Sequence, residues 1–438
     1  MIRKIIIFTS FLLFVLGTVA AQTINKVEPL FWWAGMRNPE LQLMVYGDHI
    51  SEYHPVINEP GVYLKSCVTV DSPNYLILYL DLSQAHSGTF DITFVNGEKK
   101  FVYAYELKER KESTDDIQGY DSSDVLYLIM PDRFANGDQS NDQISMSTEY
   151  VMDRSKPGAR HGGDLKGIED HLDYFVDLGV TAIWLNPVLE NDGKGGSYHG
   201  YFSTDMFHVD RRLGSNEDYL RLINKAHQKG LRVVMDMIFN HIGANHPWVL
   251  DVPSKDWFNV SPSKRGNHAK AIFYDNYAST YDSEVMKYAG FGIDLNQANP
   301  HVGKYLIQNS IWWIEYARID AIRQDTYPYS DFDMQKGCKL NFGKDTELKS
   351  VMDFTLMSIA SDIFNDKSSP EGRLDKIYDH LCYDFVYPDI KNVLRFLDNH
   401  DTDRFLRSEP KDLDGYKQGV AFLLTIPGTP QLYYGHEL

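Results

Sequence analysis

The chain after residue 122 alternates short apolar segments with segments of helical periodicity, and this pattern restricts it to few folds. Apolar runs of the kind expected for strands buried on both faces occur at 125–130, 181–185, 231–238, 319–322, 393–397 and 431–434. Helical periodicity occurs at 168–178, 217–229, 302–316 and 411–426. Alternating strands and helices predict an α/β domain with a parallel sheet. Polar residues at the strand ends favour a (β/α)8 barrel over 123–438.

One long segment, at about 242–298, interrupts this alternation. It is irregular but rich in aromatic side chains, namely Trp248, Trp257, Phe258, Tyr274 and Tyr277. Structureless loops of this length are uncommon inside compact domains. We therefore predict an inserted subdomain here.

Residues 22–108 follow a different pattern, in which short extended segments are separated by Pro, Gly, Asn and Asp. The extended segments are 41–46, 62–70, 75–82, 89–94 and 100–107. This spacing is typical of a β-sandwich, and we predict a small all-β domain of immunoglobulin-like type. The polar stretch 109–122 has few apolar residues and is predicted to be a linker.

The first 21 residues have the order of a secretory signal peptide. Arg3 and Lys4 precede the apolar run 5–16, and small residues up to Ala21 precede Gln22. A membrane anchor is the alternative, but about 12 apolar residues fall short of the roughly 20 that span a bilayer. We therefore expect cleavage after Ala21, export to the periplasm or the extracellular space, and no later membrane span.

The charge balance restricts the partners. There are 43 basic and 61 acidic side chains, which give a formal net charge of −18. Because binding to a polyanion requires a basic face, nucleic acid and anionic membranes are not expected partners. Three dispersed cysteines, Cys67, Cys338 and Cys382, are too few for a disulfide scaffold or a zinc cluster.

Polar residues that can carry chemistry follow three of the predicted barrel strands. They occur as Asp236 with Asn240 and His241, as Arg323 with Asp325, and as Asn399-His400-Asp401. The carboxyl ends of barrel strands converge at one mouth, where active sites are built. Carboxylates, an arginine and histidines at one mouth suit cleavage of a glycosidic bond. The alternative is that these groups only cap strands and pair with one another, and three motifs in order favour the catalytic interpretation.

The motif set resembles the α-amylase family, glycoside hydrolase family 13, and most closely its neopullulanase and cyclomaltodextrinase-like members. The matching stretches are YHGY (198–201), DMIFNH (236–241), GIDLN (292–296), IDAIRQDTYPY (319–329), FLDNHD (396–401) and GTPQLYYG (428–435). The stretch PLFWWAGMRNPELQLMVYG (29–47) is similar to the N-terminal domain of that subgroup. The resemblance implies a retaining hydrolase of α-glucans such as starch, maltodextrin, pullulan or cyclodextrin. It also makes a homodimer through the N-terminal domain a candidate assembly.

The resemblance assigns roles position by position. Asp325 matches the nucleophile, Arg323 would keep that carboxylate ionised, and Asp401 matches the aspartate that stabilises the transition state. Asp236 matches a buried aspartate that supports the arginine. The residues implied to line the subsite of the attacked glucose are His199, Tyr201, His241 and His400. Of these, Tyr201 is expected to stack on the sugar ring.

A second polar cluster lies between the first two predicted barrel strands. It comprises Asn136, Asp138, Asn141 and Asp142, followed by Gly162 and Asp164. Closely spaced oxygen ligands on a loop are what Ca²⁺ selects, and a polar loop with Asx-turns is the alternative. Because relatives with this pattern often bind calcium, the resemblance implies a structural Ca²⁺ ion.

The family's third carboxylate, a strand-five glutamate that acts as general acid and base, has no counterpart in the sequence. Only 25 residues separate Asp325 from the next strand-like run at Val351, and a βαβ unit takes about 30 or more. The one glutamate in this interval, Glu347, lies in a polar segment. The chain also ends without the last barrel helix and the C-terminal sandwich of relatives. We therefore expect an incomplete barrel that cleaves natural glucans poorly, with an impaired glucan-binding protein or a damaged-gene product as the alternative to a hydrolase.

Overall fold

The computed structural model describes most of the chain after the predicted signal segment. It covers residues 24–110, 117, 119–144, 152–193, 196–259, 292–326, 349–365, 373–406 and 412–437. The predicted signal peptide, Tyr274, Tyr277, Glu347 and much of the predicted linker lie outside the described residues, as does the middle of the predicted insertion.

Two four-stranded sheets form the N-terminal region and confirm the predicted β-sandwich. The first has the order β1-β3-β6-β5 and the second β2-β8-β7-β4. Their strands are β1 (Ile24–Glu28), β2 (Trp32–Trp33), β3 (Glu40–Gly47), β4 (His54–Ile57), β5 (Tyr63–Thr69), β6 (Tyr75–Asp81), β7 (Gly88–Asn96) and β8 (Lys99–Lys108). Side chains of both sheets, such as Leu43 and Phe90, share one apolar core.

The second region is built on a parallel sheet in which seven described strands run in the order β14-β11-β10-β9-β17-β16-β15. These strands are β9 (Leu126–Ile129), β10 (Ala182–Leu185), β11 (Arg232–Ile238), β14 (Ala321–Asp325), β15 (Val351–Met352), β16 (Val393–Phe396) and β17 (Thr429–Tyr433). The last described strand, β17, pairs with the first, β9, as Leu432 with Tyr127, which is the contact that joins the two ends of a (β/α)8 barrel. A small antiparallel pair, β12 (His241–Ile242) with β13 (Ile293–Asp294), lies outside this sheet.

Helices follow most of these strands. They are α1 (Pro131–Phe134), α2 (Leu165–Asp170), α3 (Leu172–Asp177), α4 (Asn216–Gln228), α5 (Pro247–Leu250), α6 (Pro300–Ala317), α7 (Phe354–Asn365), α8 (Arg373–Leu381) and α9 (Leu413–Leu423). The single helix predicted at 168–178 is divided at His171, whose backbone leaves the helical region (φ −111°, ψ 17°). Among the described helices, none has the length and apolar character needed to cross a membrane.

Within the described residues, the parallel sheet has β14 and β15 as its two edges. Between them along the chain lies the segment 327–348, which is outside the described residues. The strand expected to be missing from a complete barrel falls in this interval. The prediction that strand five is lost therefore stays a prediction.

The strand period decides which side chains face the barrel interior. Ala182 and Trp184 on β10 pack with Val234 on β11 in an apolar cluster inside the sheet, and Ala321 on β14 packs against it. Because side chains alternate between faces, the residues two and four positions beyond Val234 and Ala321 also point inward. Polar residues at these positions therefore meet at the carboxyl end of the barrel.

The two central strands of the first sheet, β3 and β6, are mostly buried, and β3 contacts α6. Gln308 on α6 accepts a hydrogen bond from the Gln42 backbone N–H (2.8 Å) and donates one to the Gln42 carbonyl oxygen (2.8 Å). The Gln42 side chain in turn donates to the carbonyl oxygen of His301 (3.0 Å). Since α6 leads directly into β14, the sandwich braces the helix that precedes a strand of the candidate site.

Replacing Gln308 by alanine is expected to lower the free energy of unfolding by about 1–3 kcal/mol, because the buried Gln42 amide would lose both of its partners. Urea denaturation of the full chain measures this loss. A matched control is Gln228→Ala on the exposed end of α4, for which little change is expected. Equal stability of the two variants would contradict a bracing role for this contact.

Candidate active site

Side chains from three neighbouring strands meet at the carboxyl end of the barrel sheet. In the β11–β14 ladder, Asp236 pairs with Arg323 and Ile238 pairs with Asp325. Trp184 points inward from the end of β10, next to this ladder. The structure thus brings together the predicted residues of two motifs and places an aromatic residue of a third strand beside them.

Asp236 is the centre of a buried hydrogen-bond network. Its carboxylate accepts hydrogen bonds from Trp184 Nε1 (3.0 Å), the Tyr201 hydroxyl (2.9 Å) and Arg323 Nη1 (3.1 Å). Burial raises the pKa of Asp236 to about 7, against the opposing effect of the Arg323 charge, and Asp325 adds to the rise. Asp236 therefore pairs directly with Arg323 inside the barrel.

Asp325 is held on both carboxylate oxygens. Arg323 Nη1 donates to Oδ1 (2.7 Å) and the Thr326 hydroxyl donates to Oδ2 (2.7 Å). The residue is only 7% exposed, and burial alone would raise its pKa. The Arg323 charge and the other neighbouring groups outweigh burial, so the pKa of Asp325 lies below its ordinary value. This carboxylate is therefore ionised at neutral pH, which is the state that a nucleophile requires.

Tyr201 and His400 are packed together beside this network. Their rings are stacked at 5.2 Å with an interplanar angle of 11°, and the Tyr201 hydroxyl lies 2.7 Å from His400 Nε2. Tyr201 is 5% exposed, and its hydroxyl connects Asp236 to His400. The predicted stacking of this ring on a sugar stays a prediction.

The other two predicted histidines flank the same tyrosine. His199 accepts a hydrogen bond from the Tyr201 backbone N–H at Nδ1 (3.0 Å), and His241 Nε2 lies 3.2 Å from the Tyr201 carbonyl oxygen. His241 is fixed by the β12–β13 pair, in which Gly292 packs so closely that a Cβ there would lie 2.7 Å from the imidazole. The GIDLN stretch thus packs against the end of the DMIFNH stretch and helps to position His241.

Asp401 lies at the rim of the site. Its backbone N–H donates to the Asn399 side chain (2.9 Å), and its carboxylate lies 3.4 Å from His400 Nε2. The side chain is 55% exposed. Asp401 is thus accessible from the mouth of the barrel, while Asp236 and Asp325 lie below it.

Two residues of this site were not among the predicted ones. Trp184 donates to Asp236, and its ring lies 5.2 Å from the Arg323 guanidinium carbon, where a cation–π interaction is favourable. The alternation of β10 could have identified it, because Trp184 shares the inward face with Ala182. Thr326 gave no such signal, since its role depends on a backbone angle that the sequence does not show.

The predicted ion loop is partly assembled as an oxygen-lined site. Asp142 Oδ1 accepts from Asn136 Nδ2 (2.6 Å), and the Oδ1 atoms of Asn136 and Asn141 are buried with no hydrogen-bond partner among the described residues. Gly162 (φ +82°) approaches so closely that a Cβ would lie 2.6 Å from Asp142 Oδ1. Unpaired buried oxygens beside a carboxylate are the donor set that a hard cation fits.

Two predicted ligands of this loop have other partners. The Asp164 carboxylate accepts from the backbone N–H groups of Gly137, Asp138 and Gly167, the last as the N-cap of α2, and its predicted ligand role stays a prediction. Asp138 Oδ1 accepts from Ser140 N–H and Oγ (2.9 and 2.6 Å), in the Asx-turn that was the alternative. No group of three Asp, Glu, His or Cys side chains converges as a metal site within the described ranges, so ion binding here would require amide and carbonyl oxygens in addition to the Asp142 carboxylate.

His400 makes the stability of the native state depend on pH. Burial lowers the pKa of His400 to about 3, and the Arg323 charge adds to this effect. The unfolded chain binds a proton at this histidine below about pH 6.5, whereas the native state does so only near pH 3. Unfolding is therefore favoured as the pH falls through this window.

The His400→Gln variant is expected to lose less stability than the wild type when the pH falls from 7 to 4. Urea denaturation at a series of pH values measures the difference. The surface substitution His86→Gln is the control, and its pH dependence should match that of the wild type. Parallel curves for His400→Gln and the wild type would exclude this role for His400.

Comparisons with known proteins identify the families that the two regions of the chain match. Residues 128–340 match the family described as α-amylase, catalytic domain, and residues 26–111 match the family described as cyclomaltodextrinase, N-terminal. The intracellular maltogenic amylase of Bacillus subtilis is 29% identical over an alignment of 347 residues, and the match covers 72% of this chain and 55% of the relative. Neopullulanase 2 of Thermoactinomyces vulgaris is 28% identical over an alignment of 378 residues, and the match covers 77% of this chain and 60% of the relative.

A solved structure extends the comparison to the fold. The crystal structure of an Anoxybacillus α-amylase has a TM-score of 0.58 and 34% identity, and the match covers 72% of this chain and 71% of that one. The chain spans about half the length of the curated relatives that it matches. The motifs, the barrel sheet and this likeness together show that the chain belongs to the α-amylase family of glycoside hydrolases.

Proposed function

We propose that this protein cleaves α-glucosidic bonds by retaining double displacement, with Asp325 as the nucleophile. The observation that carries the proposal is the state of Asp325, which is ionised and held on both oxygens at the mouth of the barrel sheet. In the first step a carboxylate oxygen bonds to the anomeric carbon while the bond from that carbon to the leaving oxygen breaks. Water then releases the sugar from Asp325.

We further propose that the substrates are α-glucans. The support comes from the names of relatives, which include a maltogenic amylase, cyclomaltodextrinases and a neopullulanase. Asp401, exposed at the rim, and His400 beside it would contact the hydroxyl groups of the bound glucose. Such hydrogen bonds strengthen in the transition state and add to the rate.

The leaving oxygen must receive a proton, and this requirement provides the test. Fluoride leaves α-glucosyl fluoride with little acid assistance, whereas the alcohol leaving from maltotriose needs a general acid, which is typically worth 10²–10⁴-fold in rate. We expect fluoride release from the first substrate, and much slower or no cleavage of maltotriose if the acid is missing. A fluoride electrode and chromatography of the products measure the two reactions.

The outcomes separate the two functions. Rapid turnover of both substrates would show a complete hydrolase, with a general acid that the sequence did not reveal. Binding of maltooligosaccharides by calorimetry, with no reaction of either substrate, would contradict the hydrolase proposal and support a glucan-binding protein instead.

We also propose a structural Ca²⁺ ion in the loop formed by Asn136, Asn141, Asp142 and Gly162. When bound, the ion would contact the buried side-chain oxygens of Asn136 and Asn141, which have no hydrogen-bond donor among the described residues. The residues would hold the ion through the Asn136 and Asn141 side-chain oxygens, the Asp142 carboxylate and the Gly162 carbonyl oxygen. The role is stabilising, because the ion would bind the native loop and not the unfolded chain.

Calcium at 100 times its dissociation constant is expected to add about 2.7 kcal/mol to the free energy of unfolding, and a chelator should remove this increment. The variant Asp142→Asn should lose most of the calcium response. Asp153→Asn, in the neighbouring loop but outside the cluster, is the matched control and should keep it. Calorimetric titration with Ca²⁺ gives the stoichiometry, and no heat of binding would exclude the site.

Two further proposals concern location and assembly. The N-terminal pattern of Arg3, Lys4 and the apolar run 5–16 supports export, and the expected result is a mature protein that begins at Gln22, as measured by mass spectrometry after cell fractionation. A full-length N-terminus in the cytoplasm would contradict it.

Similarity of residues 26–111 to a cyclomaltodextrinase N-terminal domain supports a homodimer, which light scattering measures directly.

A further inference from the structure

The backbone changes direction in an unusual way immediately after the nucleophile. β14 ends at Asp325, and Thr326 follows with a φ of +49°. A β-branched residue in the left-handed region is a genuine outlier, because its side chain crowds the backbone there. Strained residues of this kind cluster at functional sites, and they persist only where contacts with the surrounding structure offset the cost of the strain.

The strained conformation places the Thr326 hydroxyl against Asp325. The hydroxyl donates to Asp325 Oδ2 at 2.7 Å. Arg323 donates to the other oxygen, Oδ1, also at 2.7 Å. Two donors on opposite oxygens fix the plane of the carboxylate, whereas a single donor would leave it free to rotate about the bond that joins it to Cβ.

Arg323 does not bind Asp325 exclusively. Its Nη1 atom also donates to both oxygens of Asp236 (3.1 Å each) and to the Tyr201 hydroxyl (3.2 Å). The arginine is therefore shared between two carboxylates. Thr326, by contrast, donates its one hydroxyl hydrogen to Asp325, and it lies in the residue adjacent to Asp325.

We propose that Thr326 is a positioning residue for the reaction, whose hydroxyl fixes the orientation of the Asp325 carboxylate for attack on the anomeric carbon. This inference rests on the proposed role of Asp325 as nucleophile. The hydrogen bond stabilises the ionised carboxylate and holds its plane, so that the reacting oxygen needs little reorientation. The backbone strain at Thr326 is the structural cost of bringing the hydroxyl within reach.

Two conservative variants separate the hydroxyl from the shape of the side chain. Thr326→Val keeps the volume and the branching but removes the donor. Thr326→Ser keeps the donor and removes a methyl group. Thermal unfolding and circular dichroism of both variants show whether the fold is retained.

The main readout is the pH profile of kcat/KM with α-glucosyl fluoride. Loss of a hydrogen bond to an ionised carboxylate raises its pKa, so the acid limb of the Thr326→Val profile should move upward by about one pH unit. The plateau should fall about tenfold because the nucleophile is less well oriented. Thr326→Ser should retain the wild-type acid limb and most of the plateau rate.

A second readout does not require turnover. The ¹³C carboxyl resonance of Asp325, assigned by its absence in Asp325→Asn, is followed through a pH titration of aspartate-labelled protein. Its midpoint should lie higher in Thr326→Val than in the wild type or in Thr326→Ser. A merely structural role for Thr326 would leave this midpoint unchanged.

The outcomes distinguish the two proposals. If the wild type releases fluoride no faster than Asp325→Asn, the hydrolase proposal fails, and the carboxyl titration still decides whether Thr326 orients Asp325. If Thr326→Val keeps the wild-type pH profile, plateau and titration midpoint, the positioning role is overturned. An altered midpoint restored by Thr326→Ser supports it.

Discussion

The variant Asp325→Asn is expected to lower kcat for α-glucosyl fluoride by about 10⁴-fold or more, the scale seen when a nucleophile is removed from an enzyme. The amide cannot form the glycosyl ester, although it has the same shape as the carboxylate. Fluoride release under single-turnover conditions measures the effect. The loss is expected to be large because, among the described residues, no second carboxylate shares this position: Asp236 pairs with Arg323, and Asp401 lies at the rim.

The control for this variant is Asp320→Asn, at the start of the segment that forms β14. Asp320 precedes β14 and accepts a hydrogen bond from the Val233 backbone N–H (2.8 Å), which an asparagine oxygen can also accept. Asp320→Asn should therefore keep its fluoride activity. A similar activity in Asp325→Asn and the wild type would remove Asp325 from the mechanism.

The second large effect is expected for Arg323→Gln, which should lower the free energy of unfolding at pH 7 by about 3–5 kcal/mol. The arginine, 14% exposed, is the cation that faces Asp236 and Asp325. Without it, the buried carboxyl groups of Asp236 and Asp325 would lose the countercharge that they share. Urea denaturation at pH 7 measures the loss.

The pH dependence provides the check on this explanation. With Arg323 removed, the pKa of Asp325 in the native state should rise above its unfolded value, and that of Asp236, already raised by burial, should rise further. The variant's stability should therefore fall as the pH rises. The difference from the wild type should therefore shrink at acid pH, where both carboxyls can bind protons. Arg323→Lys keeps a cation and should lose less stability. A loss that is equal at pH 4 and pH 7 would point to packing and not to charge.

Much of the barrel could be predicted because its signals are local. The strands β9, β10, β11, β16 and β17 were predicted within about two residues, since buried parallel strands are continuous apolar runs. β14 was less well placed, at 319–322 instead of Ala321–Asp325. Its second half carries Arg323, Gln324 and Asp325, and polar residues at the end of a strand remove the apolar signal that defines it.

The details of the site were not predictable from local patterns. The Tyr201 hydroxyl lies 2.7 Å from His400, which is 199 residues later in the chain. The Asp164 carboxylate caps α2 and also accepts hydrogen bonds from the backbone N–H groups of Gly137 and Asp138. These contacts join segments that are distant in the chain, so only the folded structure shows them.

What the amino-acid sequence determined is the order of the elements and the chemistry of the strand ends. Apolar periodicity sets which segments become strands, and the side-chain period of two carries Asp236, Arg323 and Asp325 to the inner face. What only the tertiary structure decided is how these groups share their partners. Arg323 bridges two carboxylates, and Thr326 takes up a strained backbone to reach the second one. Both depend on distances between chain segments, which residue order alone does not contain.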